Sequence, residues 1–173
     1  QNDHLLMQLE IPLDAVASGI MSAQGIGAVS ILNIAPFNPH AAGLMNDADI
    51  SVANETEFDL ACEALSLEGA DRKARMAAFV ARSGKTIIVT LGGDGALAAS
   101  PDGFISVPAL PVTPVDTVGA GDTFCGYLGA ALDAGLDLES AMRRASAAGS
   151  LACLKPGAQP SIPFAPEVDA ALI

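Results

Sequence analysis

The sequence is short of aromatic side chains: tryptophan is absent, tyrosine occurs once and phenylalanine six times in 173 residues. A β-sandwich core built on large rings is a poor match to that supply. An apolar half dominated by alanine and glycine suits close packing of helices on a sheet, so an α/β class is expected. Positive charge is scarce as well, with eight Lys and Arg against 20 Asp and Glu and a formal net charge of −12. Most of such a surface would repel a phosphate polymer or an anionic bilayer, and neither nucleic acid nor membrane is expected as a partner. Any phosphate must then be held locally, by backbone dipoles and metal ions. No apolar run reaches the roughly 20 residues needed to cross a bilayer, and no basic-then-apolar leader opens the chain. A cytoplasmic location is the default expectation. Cysteine is limited to Cys62, Cys125 and Cys153, an odd number at wide spacing that fits neither a disulfide framework nor a metal-ligand pair. Buried free thiols are expected instead. The two histidines, His4 and His40, have no partner spacing for a metal site or a nucleophile relay.

What is present is concentrated in one stretch, Asp116-Thr117-Val118-Gly119-Ala120-Gly121-Asp122. Two glycines bracket an alanine ahead of an expected helix from Asp122 to Ala134, so first-turn N–H groups can approach an anion closely. Asp122 falls at the positive end of that helix, a suitable place for a carboxylate that accepts a proton from an alcohol. Together these features suggest phosphoryl transfer to a hydroxyl. Taken alone, Gly-Ala-Gly is more often a tight turn, and an Asp at the position of Asp122 more often a residue that matches the helix dipole.

Along the chain, Leu5 to Glu10 reads as a buried parallel strand ending in an acid, and Pro12 opens a helix from Leu13 to Ala23. Ala28 to Ala35 reads as a second strand, followed by a helical turn near His40 to Met45 and a third strand from Ile50 to Ala53. Asn54 and Glu57 stand at capping-box spacing before a helix running to about Ser66. Asp71 to Ser83 reads as an amphipathic helix packed through Ala74, Ala77, Ala78 and Ala81. Lys85 to Leu91 is the strand richest in β-branched residues, and Gly92-Gly93-Asp94-Gly95 turns it over. A hairpin, Ala96 to Ala99 with Gly103 to Val107, is expected to extend the sheet antiparallel at one edge. Pro108, Pro111 and Pro114 space an extended connector that delivers the chain to Asp116. Helices from Leu138 to about Cys153 and from Glu167 to Leu172 close the chain, with a loop from Lys155 to Pro163 between them. No linker divides the chain, so residues 1–173 read as a single unit.

The string D-T-x-G-A-G-D followed by Thr123-Phe124 resembles the C-terminal signature of the ribokinase family of sugar kinases, the phosphofructokinase-B group. The likeness runs from Leu5 to the C-terminus, and L-L-M-Q-L-E near the start and G-A-Q-P-S-I-P near the end look more like its ribokinase branch than its fructokinase or adenosine kinase relatives. It implies a three-layer α/β fold with a mostly parallel sheet and helices on both faces. Asp122 would be the general base, with the N–H groups of Gly119, Ala120 and Gly121 as the anion hole. Asn54 and Glu57 would serve nucleotide phosphates and Mg²⁺. Thr90, Gly92 and Gly95 of T-L-G-G-D-G would line the ATP site, with Ser146 near the nucleobase. Glu10 would contact a sugar hydroxyl, although a strand-end acid without that role fits equally. Asp116, the Val118 carbonyl, Gly157 and Ser161 resemble a K⁺ site.

The implied reaction is ATP-dependent phosphorylation of a pentose, D-ribose to ribose 5-phosphate, by a cytoplasmic homodimer. Fructose, adenosine or 2-keto-3-deoxygluconate are alternative acceptors, and a noncatalytic nucleotide-binding module is the other alternative. The chain looks like the nucleotide-binding and catalytic portion of an incomplete domain, without the family's N-terminal lid and sugar-gripping segment. Its start at Gln1, directly on a strand, leads to the same expectation. Such a portion alone is expected to be poorly active, because a lid excludes water and completes the sugar site.

Overall fold

A computed structural model describes residues 3–172. Six strands form one sheet in the order β1 to β6: His4–Met7, Val29–Asn33, Ile50–Asn54, Thr86–Thr90, Ala96–Ser100 and Gly103–Val107. The first four pair in parallel, in a register that sets Ile31 beside Ile50 and Asn54 beside Thr90. The β5–β6 hairpin makes the antiparallel edge. Parallel neighbours need crossovers: α1 (Leu13–Ile26) joins β1 to β2, and α2 (Glu55–Ala64) with α3 (Arg72–Ser83) joins β3 to β4. A 3-10 segment, Pro39–Asn46, bridges β2 to β3.

Contacts divide the chain into two compact units. The first holds the chain up to Thr90 together with Leu97–Ile105; the second holds Leu91–Ala96 and Ser106 onward. In the first, α1 packs on β1 and β2 through Val16, Ile20 and Ala23. Helices α2 and α3 lie on β3 and β4, with Phe58 and Phe79 fully buried. Each ring removed from water contributes about 1.5–3 kcal/mol, which makes these two the anchors of their helices. The packed side of α3 is therefore Met76 and Phe79, whereas Ala77 and Ala81 are exposed and Ala74 and Ala78 half-buried. The alanine face expected from the sequence is corrected on this point. Where a helix carries both, the large side chains gain more from burial than the methyls.

Strand β1 is shorter than expected, ending at Met7, and it is the other edge of the sheet rather than an interior strand. Beyond it the Leu9 N–H turns away to the Ala35 carbonyl at 3.1 Å, and the Gln8 side chain folds onto Glu10. Helix α1 runs three residues further than expected because Gly25 is tolerated inside it; Gly27, in the left-handed region, ends it.

The second unit is built on α4 (Ala120–Asp133) against α5 (Leu138–Ala152), with α6 (Ala165–Ala171) packed on α5. Ala147 and Ala148 of α5 and Val168 of α6 form a core into which Leu110, Tyr127 and Leu151 pack. Small residues let the helices approach closely, as the alanine-rich composition implied. Cys62 and Cys125 are buried and Cys153 is half-buried. No helix among the described residues is long and apolar enough to cross a membrane.

Candidate functional site

In the second unit the signature stretch forms a helix mouth. Gly119 takes φ 77° and caps α4, so the helix starts at Ala120 and places Asp122 third in its first turn, two residues deeper than the sequence suggested. The Gly119 carbonyl accepts from the Thr123 N–H at 2.9 Å and from its hydroxyl at 2.8 Å. Thr123 thus fastens the left-handed turn from below, a role not read from the sequence. Its signal was the four-residue spacing at which a threonine hydroxyl reaches back to a carbonyl. Among the described residues, the N–H groups of Gly119, Gly121 and Asp122 have no acceptor. Ala120 differs from expectation: its N–H donates to the Thr117 carbonyl at 3.2 Å, closing the turn instead of standing open. Asp122 is exposed and opens an apolar groove of about 220 Å³ along Thr123, Gly126, Tyr127, Ala130 and Ile162.

Beside the mouth, the Asp116 carboxylate is held by two backbone donors, Val118 N–H at 3.0 Å and Gly157 N–H at 2.8 Å. The Gly157 bond first, and then the Val118 bond, hold its carboxyl below the ordinary aspartate range. Gly157 takes φ 88°, and the Ser161 hydroxyl, buried, donates to the Ala158 carbonyl at 2.8 Å. A side chain on Gly119 would place its Cβ 3.0 Å from both Cα and Cβ of Ala158, so the loop seats directly on the cap. Asp116, Val118, Gly157 and Ser161 are thereby gathered with the helix mouth in one unit. The Val118 and Gly157 carbonyls have no donor among the described residues. An anionic carboxylate with two open carbonyls is a donor set that fits a hard cation. No cluster of three His, Cys, Asp or Glu suited to a metal occurs among the described residues.

Gly92 and Gly95 also belong to the second unit, in a 3-10 turn closed by Leu91 N–H to the Gly95 carbonyl at 2.8 Å. Ser146 is buried, 6% exposed, and donates its hydroxyl to the Pro108 carbonyl at 2.9 Å.

In the first unit the parallel register sets Asn54 beside Thr90 at the C-terminal ends of β3 and β4. Asn54 Oδ1 accepts from Glu57 N–H at 2.8 Å, and Glu57 Oε2 from Asn54 N–H at 2.9 Å, completing the capping box. Only one polar atom of each side chain is used, which leaves Asn54 Nδ2 and Glu57 Oε1 without a partner among the described residues. The Thr90 hydroxyl reaches the Ala53 carbonyl only at 3.4 Å. Glu10 is exposed in the loop after β1, receiving the Gln8 side-chain amide at 2.7 Å.

An α/β sheet followed by a glycine-capped helix mouth with an aspartate in its first turn defines a recognisable class. The profile of the pfkB family of carbohydrate kinases matches residues 3–165, and the chain belongs to that family. Among its relatives are ribokinases. It is 38% identical over 165 residues to the bifunctional ribokinase/ribose-5-phosphate isomerase A of Fructilactobacillus sanfranciscensis, covering 93% of this chain and 30% of that protein. It is 34% identical to the ribokinase of Staphylococcus aureus over 96% of this chain and 55% of that one. The structure of Arabidopsis thaliana ribokinase complexed with ribose and ATP superposes with a TM-score of 0.86 at 29% identity, over 98% of this chain and 55% of that one. The chain thus spans about half the length of the two single-function ribokinases, and less of the bifunctional protein.

Proposed function

We propose that the full-length protein carrying this chain is an ATP-dependent sugar kinase that phosphorylates the primary hydroxyl of a pentose, D-ribose first among them. The observation that carries this reading is the mouth of α4, where open N–H groups of Gly119 and Gly121 stand beside Asp122 at the third helical position. Two donors at a helix N-terminus stabilise charge on a migrating phosphoryl group. Asp122 accepts the proton that the attacking alcohol loses. Asn54 Nδ2 would bind nucleotide phosphates, Glu57 Oε1 would help to hold Mg²⁺ there, and Thr90 with the Gly92–Gly95 turn would line the ATP site. Mg²⁺, when bound, neutralises charge on the phosphates. Asp116 with the Val118 and Gly157 carbonyls would hold K⁺, in a loop that Ser161 ties through the Ala158 carbonyl. Glu10 contacts a sugar hydroxyl. The reading is supported by the likeness to ribokinases, one of them known with ribose and ATP. A homodimer in the cytoplasm completes it.

A coupled assay of the full-length protein tests this. Ribose-dependent release of ADP, requiring Mg²⁺ and rising with K⁺, is expected. A panel of fructose, adenosine and 2-keto-3-deoxygluconate ranks the alternative acceptors, and absence of ADP release with any sugar would sink the assignment.

A further inference from the structure

Two serines of α5 are used in a way that the phosphotransfer reading does not require. Ser146 and Ser150 are both buried, one helical turn apart. The Ser146 hydroxyl donates to the Pro108 carbonyl at 2.9 Å. Ser150 Oγ accepts from the Leu110 N–H at 3.1 Å while donating to the Ser146 carbonyl at 2.9 Å. Four helical residues rise about 6 Å, and two extended residues of a proline-spaced connector span nearly the same distance. The helix can therefore clasp the connector at alternate residues without bending it. Further along, the Cys153 carbonyl at the end of α5 accepts from Val115 N–H at 2.7 Å and Asp116 N–H at 3.2 Å.

What rests on the clasped segment is the Gly92–Gly95 turn. Gly95 has φ 98°, and a Cβ there would fall 2.0 Å from the Val107 carbonyl oxygen and 2.6 Å from the Pro108 carbonyl carbon. The turn is seated on backbone that has no room to give, so its position follows the connector's. We infer that Ser150 is a positioning residue for the nucleotide: by anchoring Leu110 to α5 it fixes the floor under the Gly92–Gly95 turn. Ser146, which the sequence had suggested for the base itself, acts one turn earlier on the same strap. The nucleotide part of this inference rests on the function proposed above; the mechanical part does not.

The test uses the full-length protein carrying this chain and two readouts, amide hydrogen exchange and titration with Mg-ADP. Ser150→Ala leaves the Leu110 N–H without its acceptor, an effect of roughly fivefold for one buried hydrogen bond. Exchange is expected to quicken by about that factor at Leu110 and equally at Asp94 and Gly95, whose amides close the turn. Mg-ADP affinity is expected to fall by a similar factor, and Ser150→Thr, which keeps the hydroxyl, to restore both. Faster exchange at Leu110 with Asp94 and Gly95 unmoved would overturn the positioning role, as would an unchanged ADP affinity in a chain that binds ADP. Should the unmutated full-length protein bind no ADP, the nucleotide reading fails and the exchange pattern alone decides the mechanical claim. If Ser150→Ala does not fold, Ser146→Ala, which removes the donor to the Pro108 carbonyl, is read at Asp94 and Gly95 and in Mg-ADP affinity: faster exchange with weaker binding supports the strap's role, and no change in either overturns it.

Discussion

Gly119 meets two demands at one α-carbon, a left-handed backbone and contact with Ala158 at a distance where a methyl would press. Either demand alone excludes most residues. The left-handed conformation costs a non-glycine residue about 1–2 kcal/mol, and displacing the Ala158 backbone adds to that. Gly119→Ala is therefore expected to lower unfolding free energy by about 2 kcal/mol in urea titration. Gly126→Ala is the matching control: it lies inside α4 with nothing within 4 Å of its added methyl, and the same measurement should find it neutral or more stable by up to about 1 kcal/mol. The string around Gly119 was legible because small residues and acids at set spacing have few uses together. Ser146 was not legible, since its partner, the Pro108 carbonyl, lies 38 positions away and no local pattern points to it.

At the scale of elements, the N-terminal ends of β2, β3 and β4 are tied by one carboxylate. Asp49 Oδ2 accepts from the Ser30 N–H at 2.9 Å and hydroxyl at 2.8 Å, and Oδ1 meets the Lys85 ammonium at 2.8 Å. Burial pushes its carboxyl up, but the Lys85 and Ser30 bonds together outweigh burial and the net direction is down. A group depressed in the folded state contributes stability above its unfolded value, about 3.9, and that contribution is lost as pH falls through the folded value. Asp49→Asn should therefore cost about 1–2 kcal/mol at pH 7, a figure held low because the pair is about one-third exposed. The gap between mutant and parent should narrow when urea titrations are repeated near pH 3. The α/β class, the antiparallel edge and the approximate placement of strands and helices were legible from the alternation of apolar runs with helical periods. The packed face of α3 was not, because alanines outnumber Met76 and Phe79 on that helix while the two large side chains decide its orientation.

At the scale of the whole molecule, a chain of net charge −12 holds its proposed anion by backbone amides, not by a basic patch. That is why the composition says nothing about where a phosphate would sit. The division into two units was not legible either: the Ala96–Val107 hairpin contributes to both, and no linker composition marks the boundary at Thr90. The account depends most on Asp122 acting on the acceptor alcohol rather than on the nucleotide. Asp122→Asn in the full-length protein, followed by ribose turnover and Mg-ATP affinity in parallel, addresses that directly. The account predicts a fall in kcat of at least about 100-fold with the Mg-ATP dissociation constant unchanged within about twofold. Turnover within about tenfold of the unmutated protein would contradict it.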